Sequence, residues 1–157
     1  METSAEYSAG YTAFDVRDRL AIINVINSYG YYIDQSRFNE FCDLFTELPT
    51  IQMWSGQDLR VDEWEKYRDL VIDRQRAFER NNVQRRHVLA TPRFDFQNEH
   101  TASGQAYVLL NSTENGVSTL VSSGYYEFTT VNRSGRWRID RWIGHIDAGE
   151  YGKGVGK

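Results

Sequence analysis

The side chains best suited to chemistry in this sequence are one carboxylate, Asp34, and one imidazole, His87. Asp34 follows a segment whose apolar residues repeat at i, i+3, i+4, i+7 and i+11, namely Ile22, Val25, Ile26, Tyr29 and Ile33. This spacing predicts a buried helix with Asp34 at its inner end. A carboxylate there needs a partner, because burying a lone charge is costly. An imidazole beside it would be oriented for proton transfer near neutral pH, such as removal of a proton α to a carbonyl.

A purely structural reading of the pair stays open, with His87 as a satisfied histidine and Asp34 as a helix cap. His145 lies in the last predicted strand and is predicted among the pocket residues, where it would be a second proton donor; the alternative is a structural role. His100 falls in a predicted turn. The histidines lack the spacing of metal ligands, so we predict no metal site. The sequence also lacks a P-loop, a dinucleotide fingerprint and a nucleophile elbow, and we expect no cofactor.

Aromatic residues make up 14% of the chain and could wall a pocket for a ring-shaped substrate, although a β-rich core would explain them equally well. The aromatic candidates for the lining are Trp54, Tyr29, Tyr31, Tyr32, Tyr107, Tyr126 and Trp142. We expect Tyr31 or Tyr32 to offer a hydroxyl to a substrate oxygen. Arg85 and Arg86 flank His87, and whichever shares its face would offer a cation to a developing enolate or a substrate carboxylate.

Two kinds of periodicity follow one another along the chain. Helices are predicted from Asp15 to about residue 34, around Phe38 to Phe45 with a stop at Leu48-Pro49, and over 61–80. Strands are predicted over 50–54, 83–91, 93–97, 102–111, 117–131 and 136–147. Gly30 interrupts the first helix at a cost of about 1 kcal/mol relative to Ala, which indicates a packing reason for it. Helices before long antiparallel strands predict an α+β domain in which a curved sheet wraps the helices.

Length and charge limit the organisation and the partners. At 157 residues we expect one domain, 13–148, with a flexible arm at 1–12 and a flexible Gly-rich tail at 149–157. A net charge of −4 without a long basic run argues against nucleic acid and anionic membranes as partners. No apolar run approaches the roughly 18 residues of a membrane span, and no signal peptide is recognisable. With Cys42 as the single cysteine, we expect a cytoplasmic protein that binds a small molecule.

Taken together, these segments resemble a known superfamily. The resemblance rests on Y-x-x-x-x-D in the first helix, F-x-x-L-F after it, R-x-H at 85–87, the strand hairpins and the closing G-R-W-R-I-D-R-W. It points to the SnoaL-like branch of the nuclear-transport-factor-2-like (NTF2-like) superfamily and spans roughly Asp15 to Asp147. The resemblance implies a cone-shaped α+β barrel of curved mixed sheet around N-terminal helices, with a deep cavity. The superfamily includes scytalone dehydratase, ketosteroid isomerase, polyketide cyclases and ring-hydroxylating dioxygenase small subunits, so the fold alone does not name the chemistry.

Individual residues match the family's motifs in part. Asp34 and His87 match the aspartate and histidine of the dehydratase-like members, which implies an acid/base pair. Where scytalone dehydratase has a second histidine this chain has Ala106, and Ile33 replaces the tyrosine beside its aspartate. The Asp-Arg-Asp set of limonene epoxide hydrolase is also incomplete, because Gly144 stands at its second aspartate.

Two classes of function therefore remain. The first is a cofactor-independent lyase, isomerase or cyclase acting on an aromatic, polycyclic or polyketide-like substrate through Asp34 and His87. The second is a non-catalytic binding or assembly subunit with the same fold. In an enzyme the pair should meet inside a pocket, whereas in a subunit side chains should fill the cavity.

The long strands after residue 101, and the tendency of the family to dimerise, also predict a homodimer that forms through the outer face of the sheet. Thr119, Val121, Ser123 and Tyr125 are candidates for one face of that sheet. Light scattering at micromolar concentration is expected to give twice the chain mass of 18.3 kDa. The monomer mass would contradict this prediction.

Overall fold

The computed structural model describes residues 15–147, which form three helices and one six-stranded sheet. The helices are α1 (Val16–Asp34), α2 (Phe38–Asp43) and α3 (Trp64–Arg80). The strands are β1 (Phe45–Ser55), β2 (Asp58–Val61), β3 (Gln84–Gln97), β4 (Thr101–Glu114), β5 (Val117–Arg133) and β6 (Arg136–Ile146). The predicted arm at 1–12 and tail at 149–157 lie outside the described residues.

The sheet has the strand order β2-β1-β6-β5-β4-β3 and is mixed. Strand β1 runs parallel to β6, and every other neighbouring pair is antiparallel. The sheet is curved but not closed into a barrel, and the helices pack on its concave face. The predicted α+β class with a curved mixed sheet is confirmed. None of the helices within residues 15–147 is long and apolar enough to cross a membrane.

Two prolines lie inside strands, although the sequence predicts a break at each of them. The sequence predicts that Pro49 stops a helix and that Pro92 bends or ends a strand, yet β1 and β3 run through them. In both strands the pairing register shifts beside the proline, between Phe45 and Thr50 and between Ala90 and Arg93. A proline nitrogen cannot donate a hydrogen bond to the neighbouring strand, but where the pairing is irregular no such hydrogen bond is needed. The short strand β2 is absent from the sequence prediction.

Helix α1 begins where the sequence predicts it, and Asp15 caps it, since its carboxylate accepts hydrogen bonds from the backbone N–H groups of Arg17 and Asp18. The predicted apolar stripe is buried against the sheet, with Ile22, Ile26, Tyr29 and Ile33 in the core. Leu20 and Tyr31, which lie on the other side of the helix, are exposed. Only one face of α1 therefore meets the sheet.

The end of α1 lies unusually close to β3 at Gly30. A Cβ atom at this position would stand 2.8 Å from His87 Cβ and 3.0 Å from the His87 carbonyl oxygen. Real Cβ atoms do not approach their neighbours this closely, so any other residue would push the helix away from the strand. The packing reason predicted for Gly30 is confirmed, and its effect is to bring the end of α1 onto His87.

Gly30→Ala is expected to lower the free energy of unfolding, measured by urea denaturation, by up to about 2 kcal/mol. Overpacking costs about 1 to 3 kcal/mol, which outweighs the roughly 1 kcal/mol that alanine gains in a helix. The matched control is Asn24→Ala on the exposed side of α1, which should not destabilise the protein. A Gly30→Ala protein more stable than the wild type would show that helix propensity prevails.

Candidate active site

Asp34 and His87 meet where α1 ends on β3. The His87 ring nitrogen Nδ1 lies 2.7 Å from Asp34 Oδ1, and the His87 backbone N–H donates to Oδ2 at 2.7 Å. Both side chains are largely shielded from solvent, with exposed fractions of 6% for Asp34 and 15% for His87. Both carboxylate oxygens are thus engaged by a single residue, which fixes the position and the orientation of the imidazole.

These two contacts determine the tautomer of the neutral ring. An ionised carboxylate only accepts hydrogen bonds, so Nδ1 must carry the proton and Nε2 must carry the lone pair. Nε2 forms no hydrogen bond with any of residues 15–147, and the ring lines a pocket. Nε2 is therefore the atom that can exchange a proton with a bound molecule.

The pocket lies between α1, α3 and the concave face of the sheet, with a volume of about 90 Å³. Three rows of paired residues across the strands contribute to its floor. The rows are His87–Leu110–Ser122, Val108–Gly124–Ile146 and Met53–Gly144–Tyr126. Two of these rows contain a glycine, Gly124 or Gly144, where no side chain would fit. A Cβ on Gly144 would stand 2.6 Å from Met53 Sδ, and a Cβ on Gly124 would stand 2.2 Å from a backbone oxygen.

Two of the residues that line the pocket are tyrosines, Tyr29 and Tyr67. The Tyr29 and Tyr67 hydroxyls are hydrogen-bonded to each other, and both residues are buried. The Tyr29 ring meets the His87 ring edge-on at 6.0 Å between centroids. Tyr29 lies in the predicted lining, whereas Tyr67 was not predicted as a site residue. The helical spacing of α3 could have indicated that Tyr67 faces inward, but no local pattern indicates that its hydroxyl pairs with Tyr29.

A buried arginine stands beside the histidine. Arg85 lies two residues before His87 on the same face of β3, lines the pocket and is 7% exposed. Its guanidinium sits 4.4 Å from the centre of the Phe78 ring, a contact worth about 0.5 to 2 kcal/mol. Arg86 points the other way and is exposed. The arginine that shares the face of His87 is therefore Arg85, and Arg74 of α3 joins it in the lining.

Three residues predicted to line the pocket lie on the opposite face of the sheet. Trp54, Tyr107 and His145 belong to one row that runs across the strands through Tyr125. Tyr107 is 65% exposed, and His145 stacks on Tyr125 at 4.5 Å between ring centroids. Side chains alternate between the two faces of a sheet, so the pairing register decides which face each of them occupies. Here it places all three on the outer face.

His145 belongs to a second histidine–carboxylate pair on this outer face. Its Nε2 lies 2.7 Å from Glu127 Oε1, and Arg141 contacts the other oxygen at 3.1 Å. Partial burial raises the pKa of Glu127, but the hydrogen bonds from His145 and Arg141 outweigh it and hold that pKa below its usual range. The prediction that His145 faces the pocket is wrong.

Both tyrosines proposed to supply a hydroxyl also lie elsewhere. Tyr31 is 66% exposed, because two residues turn the helix by about 200° from Tyr29. Tyr32 is half-buried beneath the Arg37 guanidinium, 4.6 Å from its ring centre, and does not line the pocket. Trp142 is fully buried behind Tyr126, stacked on it at 4.5 Å, and belongs to the core.

Other titratable groups do not extend the site. Burial raises the pKa of the Cys42 thiol, which suits a packing role. His100 is exposed beside Glu99, as the predicted turn requires. Within residues 15–147, no group of three or more His, Cys, Asp or Glu side chains is placed to hold a metal ion.

Comparison with known proteins identifies the family. The family profile of the SnoaL-like domain matches residues 15–143. The chain belongs to the SnoaL-like domain family. This confirms the resemblance to the SnoaL-like and NTF2-like proteins. No curated protein sequence matches the chain.

Solved structures share the fold at low sequence identity. An NTF2-like protein with a cystatin-like fold from Novosphingobium aromaticivorans has a TM-score of 0.70 at 17% identity, covering 87% of this chain and 86% of its own. A candidate scytalone dehydratase from the same organism has a TM-score of 0.63 at 20% identity, covering 83% and 85%. The beta subunit of a candidate aromatic-ring-hydroxylating dioxygenase, also from N. aromaticivorans, has a TM-score of 0.67 at 18% identity, covering 87% and 94%. These identities show a common fold alone.

Asp34→Asn is expected to reverse the tautomer of His87. The backbone N–H of residue 87 can only donate, so the asparagine carbonyl must face it and the NH₂ group must face Nδ1. Nδ1 then accepts and Nε2 carries the proton. Nitrogen-15 NMR of histidine-labelled protein at about pH 8, above the usual imidazole range, reports the tautomer directly. His100 and His145 serve as internal controls, and an unchanged His87 spectrum would show that Asp34 does not set the tautomer.

Proposed function

We propose that this protein is a cofactor-independent enzyme that transfers protons through His87, as a dehydratase, isomerase or cyclase of a small ring-bearing substrate. One observation carries the proposal: Asp34 holds His87 at its backbone N–H and at Nδ1, and the His87 ring, with Nε2 free of hydrogen bonds to the described residues, lines a pocket. A histidine that only fills space would not need its acceptor nitrogen at a cavity. The family profile and the fold shared with a candidate scytalone dehydratase are consistent with it.

The proposed reaction begins with a substrate carbonyl at the Tyr29–Tyr67 hydroxyls. Nε2 takes the proton from the α carbon, and the C–H electron pair forms an enolate whose oxygen accepts a hydrogen bond from a tyrosine hydroxyl. In a dehydration, the β hydroxyl then leaves as water with the proton from Nε2, and the enolate electrons form the new double bond. In an isomerisation, the same proton returns to another carbon. Asp34 stabilises the imidazolium that exists between the two steps.

The pocket limits the size of the substrate. A volume of about 90 Å³ accommodates a single ring and not a stack of fused rings. A polycyclic or polyketide-like substrate would have to extend past partly exposed residues of the lining, such as Val71, Arg74 and Leu110. We therefore place the reacting ring inside and any further rings at this edge.

A second candidate is a non-catalytic subunit, as in the dioxygenase whose beta subunit shares the fold. The observation that favours it is the outer sheet face, where Val88, Tyr107 and Leu109 are exposed and neighbouring. An exposed apolar patch is typical of an interface. A homodimer in the cytoplasm would also cover this patch, and that assembly is compatible with the enzyme proposal.

Exchange of α protons with D₂O tests the enzyme proposal before the natural reaction is known. The wild-type protein should catalyse deuterium incorporation into a panel of single-ring and fused-ring ketones, followed by mass spectrometry. His87→Ala should lower the exchange rate by roughly 10²- to 10⁴-fold, the usual contribution of a positioned acid or base. Asp34→Asn should also lower it, because the orientation and the charge are lost.

His145→Ala is the matched control, since it breaks a second histidine–carboxylate contact of the same length on the outer face. It should leave the exchange rate unchanged, and circular dichroism should show all variants folded. Equal rates in the wild type and in folded His87→Ala would favour the subunit reading.

A further inference from the structure

A second cavity lies beside the passage from α2 into β1, and it shares no lining residue with the pocket at His87. Its volume of about 450 Å³ is within the range of small-molecule sites. Four arginines line it, in a chain whose net charge is −4; they are Arg68, Arg133, Arg136 and Arg138. We term this cavity the arginine groove. It concentrates positive charge at a place that the proposed function does not use.

The turn between β5 and β6 holds two of these arginines opposite each other. Ser134 and Gly135 have φ angles of 56° and 80°, as a two-residue hairpin turn of type I′ requires. Arg133 and Arg136 are the paired residues on either side of that turn. Side chains that are directly opposed in an antiparallel pair have Cβ atoms roughly 5 Å apart, and like charges there are destabilising. An anion between the two guanidinium groups would offset their repulsion.

One carboxylate serves two arginines of the hairpin. Asp43 accepts a hydrogen bond from Arg136 through Oδ2 and one from Arg138 Nη2 through Oδ1, the latter at 3.2 Å. Arg138 Nε also donates to the Asp43 carbonyl oxygen at 3.3 Å. Hydrogen bonds from Arg136 and then from Arg138 hold the pKa of Asp43 below its usual range, so this acid is ionised at neutral pH. Both carboxylate oxygens of Asp43 are therefore engaged already.

Arg133 has no such carboxylate. Its side chain is exposed and forms no hydrogen bond or ion pair with any of residues 15–147. Arg68, in contrast, pairs with Asp69 at 2.9 Å. Glu47, the second acid of the lining, is exposed and forms no ion pair within the described part of the chain. At the hairpin itself, three guanidinium groups thus share the single carboxylate of Asp43.

Aromatic side chains form another part of the groove. Trp64 and Phe45 both line it, with their ring centroids 4.6 Å apart. Phe45 is buried, whereas Trp64 is partly exposed. The exposed part of the indole offers a flat apolar surface on which a ligand ring can stack.

We propose that the arginine groove binds the phosphate monoester of a small ring-bearing molecule. The phosphate binds Arg133 and Arg136, with Arg138 beside them, and the ring rests on Trp64. A phosphate monoester carries a charge of about −1.5 to −2 at pH 7 and has three terminal oxygens, which suits the excess of guanidinium groups at the hairpin. A carboxylate has two oxygens and a single charge, so it matches this cluster less well. The groove is separate from His87, and the inference does not rest on the proposed function.

Titration calorimetry at low ionic strength tests the assignment with phenyl phosphate, inorganic phosphate and phenol. The wild type should bind phenyl phosphate roughly 3- to 10-fold more tightly than inorganic phosphate, the range expected of one stacked aromatic ring. Phenol should bind at least about 10-fold more weakly than phenyl phosphate, because it lacks the charged oxygens. A wild-type protein that binds neither phosphate, or binds phenol equally well, would overturn the proposal.

Variants locate the two parts of the site. Arg133→Gln should weaken the binding of both phosphates by roughly 10-fold, the loss of a charge-assisted contact. Trp64→Leu should remove the advantage of phenyl phosphate and leave inorganic phosphate unchanged. The matched control is Arg80→Gln, an exposed arginine at the other end of α3, roughly 24 Å from Trp64. Unchanged phosphate binding by folded Arg133→Gln, or an equal loss in Arg80→Gln, would overturn the assignment.

Thermal unfolding gives a second readout. Without phosphate, Arg133→Gln should have the Tm of the wild type or a higher one, because the substitution removes the repulsion between opposed guanidinium groups. Phosphate should raise the Tm of the wild type more than that of Arg133→Gln, since only a ligand that binds the folded state stabilises it. A lower Tm of the variant without phosphate, or an equal rise in both proteins, would contradict the proposal.

Discussion

The double contact between Asp34 and His87 is the constraint on which the site depends. One carboxylate binds both the backbone N–H and the ring of the same residue, so it ties the end of α1 to β3 and sets the tautomer. The contact is possible because Gly30 lets the helix approach the strand until no Cβ would fit. Packing and chemistry are therefore coupled here: a change that lifts α1 from β3 also releases the imidazole.

The alternation of side chains in the sheet separates the molecule into two functional faces. The concave face carries His87, Arg85, Ser122 and Tyr126 and meets the helices across the pocket. The outer face carries the His145–Glu127 pair, whose hydrogen bond has the same length as that between His87 and Asp34, but neither His145 nor Glu127 lines the pocket. The two pairs are similar, but only His87 lines the pocket, together with Tyr29 and Tyr67.

The lining joins an apolar wall with a few polar groups, which is the usual composition of a small-molecule site. Two arginines, Arg74 and Arg85, are among these polar groups.

Much of this protein could be predicted from local sequence. Helical spacing marked the buried face of α1 and placed Asp34 at its end, and the family's motifs suggested His87 as its partner. Periodicity could not reveal the strand register, because register depends on pairing with distant residues. For that reason Trp54, Tyr107 and His145 were assigned to the wrong face, and Tyr67, Arg74 and Ser122 were missed. The sequence by itself determined the α+β class and the acid and base that could act together. Only the tertiary structure decided which other side chains share their cavity, because a one-residue change of register turns every side chain of a strand to the opposite face.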